Sequence, residues 1–270
     1  LHNIRVILDQ GSVVAHAVLK PHLVKTPQVV LKVGAIGSVV TNPLFRGQGL
    51  SRQIIESCLA EAEKQECDLA ILWTDIPDFY RKFGFELAGI EESFLIDRPL
   101  KTSGIEAALD FREGTNVDPE ALLRLYSQHS IVTYRTAEDF RRFLAIPHTQ
   151  LYTAWSKQDQ SLKAFAAVGK GADLNNYVHE WGGGLSALLP LFNHMLKSRQ
   201  QEFTVMIPHH SQNLLRQLES QQYQGHFGYL GMMKILRREA FLQKISKILS
   251  PEEQIDWSRF SDTDLVRLIF

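Results

Sequence analysis

Arg46-Gly47-Gln48-Gly49-Leu50-Ser51 decides how this chain is read, together with Phe79-Tyr80-Arg81-Lys82-Phe83-Gly84-Phe85 further along. The first stretch follows an apolar run, Ser38-Val39-Val40-Thr41, and enters through Asn42-Pro43. A helical pattern comes after it: Leu50, Ile54, Ile55, Cys58, Leu59 and Ala62 share one face, to about Glu66. Gly47 and Gly49 remove side chains where an anion would approach the backbone, and Arg46 adds a fixed positive charge. The free N–H groups of a first helical turn point the same way. Alone, a Gly-x-Gly turn reads equally as a plain strand-to-helix connection. The second stretch puts Tyr80 one turn before a glycine that closes a short helix over 76–82. Together they imply a phosphate-bearing cofactor laid against a sheet, with a phenol near its reactive end.

Working outward, residues 3–8 and 13–20 read as strands joined by Asp9-Gln10-Gly11, a hairpin. A third strand covers 28–41, bent near Gly34 and Gly37. The continuous apolar run 69–73 fits a strand buried on both faces. Residues 85–97 make a further strand or two. Lys101-Thr102-Ser103-Gly104 is a turn-rich boundary. Beyond it we expect a strand over 105–111 and a helix from Asp118-Pro119 to about His129. A second helix runs from Thr136 to Leu144, followed by strands over 151–155, 162–168 and 176–181. Then come a helix over 185–197 interrupted by Pro190, a buried strand over 203–207, a helix over 213–220 and a strand over 226–236. An amphipathic helix from Arg237 carries Phe241, Leu242, Ile245, Ile248 and Leu249, and a polar linker and short helix reach Phe270. Both halves follow the order strand, strand, strand, helix, strand, helix, strand. Ala15-His16-Ala17-Val18 and Phe165-Ala166-Ala167-Val168 hold the same place in it, which supports a duplicated domain.

Length and composition fit one large or two ordinary globular domains: 270 residues, 44% hydrophobic and 22% charged. A net charge of −1 gives no polycationic field, so neither nucleic acid nor an anionic membrane is an expected partner. No apolar run reaches the ~20 residues of a spanning helix. Cys58 and Cys67 lie too far apart along one predicted helix to bridge, which fits a reduced, cytoplasmic setting. Leu1 is not an initiator Met, so a trimmed N-terminus and a chain that lacks the preceding part are both open readings. His179-Glu180 lacks the second histidine of a zinc-protease helix, and His209-His210 reads as an exposed turn, so no metal site is expected.

The stretch 39–51 resembles the acetyl-CoA-binding motif of the GNAT superfamily of N-acetyltransferases, Arg/Gln-x-x-Gly-x-Gly/Ala. Arg46, Gly49 and Ser51 take its three places, Ser51 departing mildly from the preferred Gly or Ala. Residues 79–85 resemble the family's second signature, a Tyr four residues before Gly-Phe, and the separation also fits. The resemblance covers residues 3–97. It implies that backbone groups of Val39, Val40 and Thr41 hold the acetyl-pantetheine arm like an added strand. It implies too that Arg46, Gly47, Gln48, Gly49, Leu50 and Ser51 bind the pyrophosphate, and that Tyr80 protonates the leaving thiolate as general acid. Many relatives carry a Glu base on the preceding strand; Val33-Gly34-Ala35-Ile36-Gly37-Ser38-Val39-Val40 has no carboxylate. Asp75, Asp78, His16 or a water chain are the alternatives. The family's first strand and acceptor-covering helices have no counterpart before Asn3.

The second half resembles the same fold without its cofactor motif. Gly182-Gly183-Gly184-Leu185 has no Arg in the family position, and no Tyr-x-x-x-Gly-Phe follows. The expected fold class is therefore α/β: two tandem GNAT-like domains, each a mixed, mostly antiparallel sheet flanked by helices, plus a C-terminal helical tail. The expected boundaries are 1–101 for the acetyl-CoA-binding domain, 102–236 for the degenerate one and 237–270 for the tail. The tail helix should pack along the duplication through Phe241, Ile245 and Leu249. The expected activity is acetyl transfer from acetyl-CoA to a primary amine, small molecule or peptide, by a monomer or homodimer. A non-catalytic acyl-CoA-binding or sensing module is the alternative.

Overall fold

Ile4–Asp9 (β1) and Ser12–Lys25 (β2) form the hairpin foreseen at Asp9-Gln10-Gly11. Gln10 and Gly11 both take positive φ, 47° and 82°, the geometry of a tight turn between twisted strands. The computed structural model describes residues 3–246 and 256–269. Val30–Thr41 (β3) returns antiparallel to β2, from Lys25↔Val30 to Ala15↔Thr41. Its register shifts between His16 and Val18. The extra residue sits near Ser38, at φ 51°, so the bend expected at Gly34 and Gly37 is a bulge just beyond them.

Leu50–Lys64 (α1) follows, and its buried face is Ile54, Ile55, Cys58, Leu59 and Ala62, as the spacing predicts. Leu69–Leu72 (β4) runs parallel to β3 through Val33↔Leu69, Gly34↔Ala70 and Ala35↔Ile71. Pro77–Arg81 (α2) and Glu86–Ile96 (β5) complete the first stretch.

In the second half the expected strand over 105–111 is corrected. Residues 106–108 form a 3-10 turn, tied by a hydrogen bond from the Thr102 hydroxyl to Glu106, and the strand is Leu109–Glu113 (β6). Asp118 caps Pro119–Tyr126 (α3), accepting from the Glu120 amide. After Val132–Thr133 (β7), Thr136 and Asp139 form a reciprocal capping box on Ala137–Leu144 (α4). Gln150–Ser156 (β8), Leu162–Lys170 (β9) and Asp173–Gly183 (β10) form an antiparallel meander. Leu185–Arg199 (α5) is continuous where a break was expected. Pro190 costs it one backbone hydrogen bond, but lies buried among Leu188, Leu189, Leu191 and Phe192, and that packing outweighs the loss. Phe203–Pro208 (β11) lies parallel to β10. Gln212–Ser220 (α6), Gly225–Ile235 (β12), Arg238–Ile245 (α7) and Asp262–Ile269 (α8) end the chain.

The chain gathers into two compact units: Leu1–Gly89 with Tyr229–Phe270, and Ile90–Gly228. The units divide at residues 89 and 228, not at the expected 101 and 236. The reason lies in strand pairing. In the first unit β12 pairs antiparallel with β4, from Met232↔Leu72 to Ile235↔Leu69. In the second, β5 pairs antiparallel with β11, from Glu91↔Pro208 to Ile96↔Phe203. Most of the last strand of each sequence half, residues 90–96 of β5 and 229–235 of β12, thus belongs to the unit built around the other. In both units three antiparallel strands lead into a helix and then a parallel strand: β1-β2-β3-α1-β4 and β8-β9-β10-α5-β11.

The sheet of the first unit is covered on both faces, which is why residues 69–72 read as an unbroken apolar run. One face packs Leu19, Ile36, Ala70 and Leu72 against Ile54, Ile55 and Cys58 of α1 and Tyr80 of α2. The other packs Leu31, Val33, Leu69 and Ile235 against Phe241 and Ile245 of α7 and Leu265 and Val266 of α8. The helix begun at Arg237 is therefore core to this unit. Ile248 and Leu249 lie outside the described residues. The second unit centres on Phe94, Phe192, Phe203, Val205 and Leu188, with Leu122, Phe140 and Phe165 forming a further cluster.

Candidate active site

Backbone chemistry builds the first part of the site. The Asn42 side chain accepts from the Leu44 amide at 3.1 Å, and Pro43 opens a single 3-10 turn, Pro43–Phe45. The chain then passes through Gly47 and Gly49, both at φ 77°, and Gly49 is the N-cap of α1. A Cβ at either glycine would meet nothing within 4 Å. Among the described residues none of the amides of residues 47–52 donates to a protein acceptor. The result is an open run of N–H groups at the positive end of a fifteen-residue helix, with the exposed Arg46 beside it.

Strand β3 leads into this turn with one edge free. Its pairing with β4 ends at Ala35↔Ile71, whereas its pairing with β2 continues to Val40↔His16 and Thr41↔Ala15. Among the described residues, no strand pairs with the side of β3 that faced β4 beyond Ala35. Val39 is partly buried against the core, Val40 is half exposed and Thr41 is half-buried. The Thr41 and Ser51 hydroxyls lie 2.9 Å apart and join the two ends of the turn. The fold therefore brings residues 39–41 and 46–51 together on one strand–turn–helix connection.

Tyr80 stands on α2, on the same core cluster as Ile54 and Ile55 of α1. Its ring meets Phe79 edge-on at 5.0 Å and Phe85 at 6.3 Å, and the residue is 8% exposed. Its hydroxyl makes no hydrogen bond to a described residue and is not sealed from solvent. Burial, with the charge of Asp75 adding to it, pushes the phenol above its ordinary value. Tyr80 therefore keeps its proton at neutral pH. The turn that follows α2 closes at Gly84, φ 82°, and Lys234 Nζ donates to the Phe83 carbonyl at 2.6 Å. Of the alternative bases, Asp78 is engaged by Arg81 at 2.5 Å, His16 sits on β2, and Asp75 is exposed beside α2.

The glycine run of the second half is built differently. A Cβ on Gly182 would fall 2.7 Å from the Phe165 ring. One on Gly183 would fall 2.2 Å from the Lys163 carbonyl oxygen and 2.7 Å from Ala164 Cα. The glycines at 182 and 183 thus let β10 close on β9. Among the described residues no three His, Cys, Asp or Glu side chains form a metal-binding group, and no helix is long and apolar enough to cross a membrane.

Sequence reasoning missed Lys234 and Glu86. Lys234 comes from a distant strand, so no local signal marks it. Glu86 directly follows the Gly84-Phe85 signature and opens a buried strand, where a carboxylate needs partners; that was the available clue.

Residues 1–88 match the family described as Acetyltransferase (GNAT) domain. No curated protein sequence matches the chain. Among solved structures, it is similar to a probable N-acyltransferase of unknown function from Enterococcus faecalis (17% identity, TM-score 0.64, covering 89% of this chain and 64% of that one). It is similar also to a GCN5-related N-acetyltransferase from Kribbella flavida (16%, TM-score 0.66, 88% and 61%). A third, from Anabaena variabilis, is 18% identical, with TM-score 0.63 and coverage of 87% and 63%. The chain thus spans less than two thirds of the length of these relatives, and the likeness to them is one of fold. The match to the GNAT acetyltransferase domain is carried by residues 1–88, the stretch that holds the glycine turn and Tyr80.

Proposed function

We propose that this chain moves an acetyl group from acetyl-CoA to a primary amine of a small molecule or peptide. One observation carries the reading: the run of unpaired amides at residues 47–52 opens directly from a strand, β3, whose edge is free beyond Ala35. Residues 46–51 would hold the pyrophosphate, Arg46 through its charge and residues 47–51 through their free N–H groups and the helix dipole. Val39, Val40 and Thr41 would take an extended arm as an added strand. Acetyl-CoA supplies the thioester that the amine attacks. Tyr80 gives its phenolic proton to the sulfur as the C–S bond breaks and the electron pair leaves with it. The amine gives up its own proton to Asp75 or to solvent.

No covalent enzyme intermediate is needed. Burial pushes the Cys58 thiol up to about 11, so it stays protonated and inert. The second half would serve as a degenerate copy without a cofactor site, consistent with the filled glycine run at Gly182 and Gly183. Acyl-CoA binding without turnover is the rival reading, and the lack of a carboxylate on residues 33–40 favours it. Titration calorimetry with acetyl-CoA, followed by thiol release over a panel of primary amines, separates them. The proposal expects one site per chain and thiol release with at least one amine. Binding with no release across the panel would support the rival.

A further inference from the structure

We propose that Glu86 and Arg267 are positioning residues for Tyr80, a buried carboxylate and a C-terminal guanidinium that together hold helix α2 in place. The inference rests on the general-acid reading of Tyr80. Tyr80 makes no side-chain hydrogen bond of its own to a described residue, so its placement depends on the helix that bears it. That helix has only five residues, too few to hold their own conformation in water. The grip on it comes through Arg81, the next residue. Arg81 bonds Asp78 within the helix at 2.5 Å, and its Nε donates to Glu86 Oε1 at 3.2 Å.

Glu86 is the centre of this arrangement. Its side chain is 6% exposed. Oε1 also accepts from the Leu87 amide at 3.0 Å, and Oε2 accepts from Arg267 Nη2 at 2.6 Å. Burial alone would favour the neutral acid. The Leu87 amide and the guanidinium groups of Arg267 and Arg81 outweigh it and hold the carboxyl below its ordinary value. Arg267 stands on an anchored element. Leu265 and Val266 of α8 are buried beside Phe241 and Ala88, and Arg238 ties the turn before α8 through the Trp257 and Phe260 carbonyls and Asp262. Arg81–Glu86–Arg267 therefore links a docked C-terminal helix to the residue next to the phenol. A surface ion pair would contribute little, but this one closes on a buried acceptor that has few other partners.

The test uses the full chain, because Arg267 is largely exposed and Arg267→Ala should fold. Thiol release from acetyl-CoA is followed with the fastest amine of the panel. Arg267→Ala should lower kcat about tenfold, with the KM for acetyl-CoA unchanged, since only the orientation of the acid is lost. Arg267→Lys should recover part of the loss. In a Tyr80→Phe background, Arg267→Ala should cost nothing more. Independently of turnover, the Tyr80 phenol, followed by carbon NMR in tyrosine-labelled protein, should titrate closer to an ordinary tyrosine in Arg267→Ala. Unchanged kcat and unchanged titration would overturn the proposal, as would an equal loss with and without Tyr80. Full activity of Tyr80→Phe would instead overturn the general-acid reading, and the titration would still decide whether Arg267 positions the ring.

Discussion

Thr41 Oγ1 lies 2.9 Å from Ser51 Oγ, so one hydroxyl contact closes the base of the glycine turn. Thr41 ends β3 and Ser51 belongs to the first turn of α1, with ten residues of sequence separation between them. This gives Ser51, the mild departure from the family pattern, a physical role. Thr41→Val and Ser51→Ala should each lower unfolding stability by about 1 kcal/mol, and the double variant by no more than either. Acetyl-CoA affinity should change little, because the amide donors remain. Urea unfolding and calorimetry check both statements, and fully additive losses would show that the two hydroxyls do not act as a pair.

The two glycine runs should respond in opposite ways to an added side chain. Gly49→Glu should abolish acetyl-CoA binding, since its carboxylate would meet the pyrophosphate in the open cradle. Gly49→Ala, strained at φ 77°, should cost about 1–2 kcal/mol of stability and still bind. Gly183→Ala should destabilise by about 1–3 kcal/mol, because its Cβ would collide with the β9 backbone, yet leave one binding site per chain. Loss of binding in Gly183→Ala without loss of stability would move the cofactor site to the second half.

Tyr80→Phe should lower kcat roughly 10²-fold, the scale of one general acid, with acetyl-CoA affinity nearly unchanged because the ring stays packed. The pH dependence follows from the raised phenol. The folded state holds this proton more tightly than the unfolded state does. The associated stability is therefore present below the ordinary tyrosine value of about 10 and is lost as pH climbs through the higher folded value. Any alkaline loss of kcat due to Tyr80 should fall above pH 10, and a midpoint near neutrality would assign that limb to another group.

The parts of the molecule legible in sequence were those set by local chemistry. The α1 face from Ile54 to Ala62, the caps at Asp118 and Thr136, and the glycines at 47, 49 and 84 each follow from a few neighbouring residues. The exchange of β5 and β12 was not legible. Met232 to Ile235 carry the same apolar pattern whether they pair with β4 or with β11, and periodicity cannot choose a partner. Pro190 misled for a related reason: local propensity predicted a break, and burial among Leu188, Leu191 and Phe192 overrode it. Glu86 stayed silent because its partner Arg267 lies at the far end of the chain.

Asp68 should be a stability hub of the N-terminal unit. It is 1% exposed, and its Oδ2 accepts from the Lys32 amide at 2.7 Å and from Lys244 Nζ at 2.6 Å. Its carbonyl accepts from the Leu236 amide, so it joins β3, the end of β12 and α7. Oδ1 has no partner, which leaves no reserve if Lys244 is lost. Lys244→Met should cost about 3 kcal/mol, near the lower end for breaking a buried pair, because Lys244 itself is partly exposed. A loss below about 0.5 kcal/mol in urea unfolding would place this contact with ordinary surface ion pairs.

The exchanged strands make a direct prediction about fragments. Residues 1–101 lack the β12 segment that pairs with β4, and they lack α7 and α8. Phe241, Ile245, Leu265 and Val266 would be missing from one face of the sheet, at about 1.5–3 kcal/mol for each buried side chain. That sum rivals the whole stability of a domain, about 5–15 kcal/mol, so the 1–101 fragment should be insoluble or unfolded. Joining residue 89 to residue 229 restores the unit. The ends can meet, because a Cβ on Gly89 would stand 2.9 Å from Leu230 Cβ. A chain of residues 1–89, a short glycine-serine linker and residues 229–270 should therefore fold and bind acetyl-CoA at one site. Circular dichroism, urea unfolding and calorimetry on the two fragments decide the matter. A soluble, cooperatively folding 1–101 fragment that binds acetyl-CoA would show that the borrowed strand and the C-terminal helices are dispensable to the unit that holds the glycine turn and Tyr80.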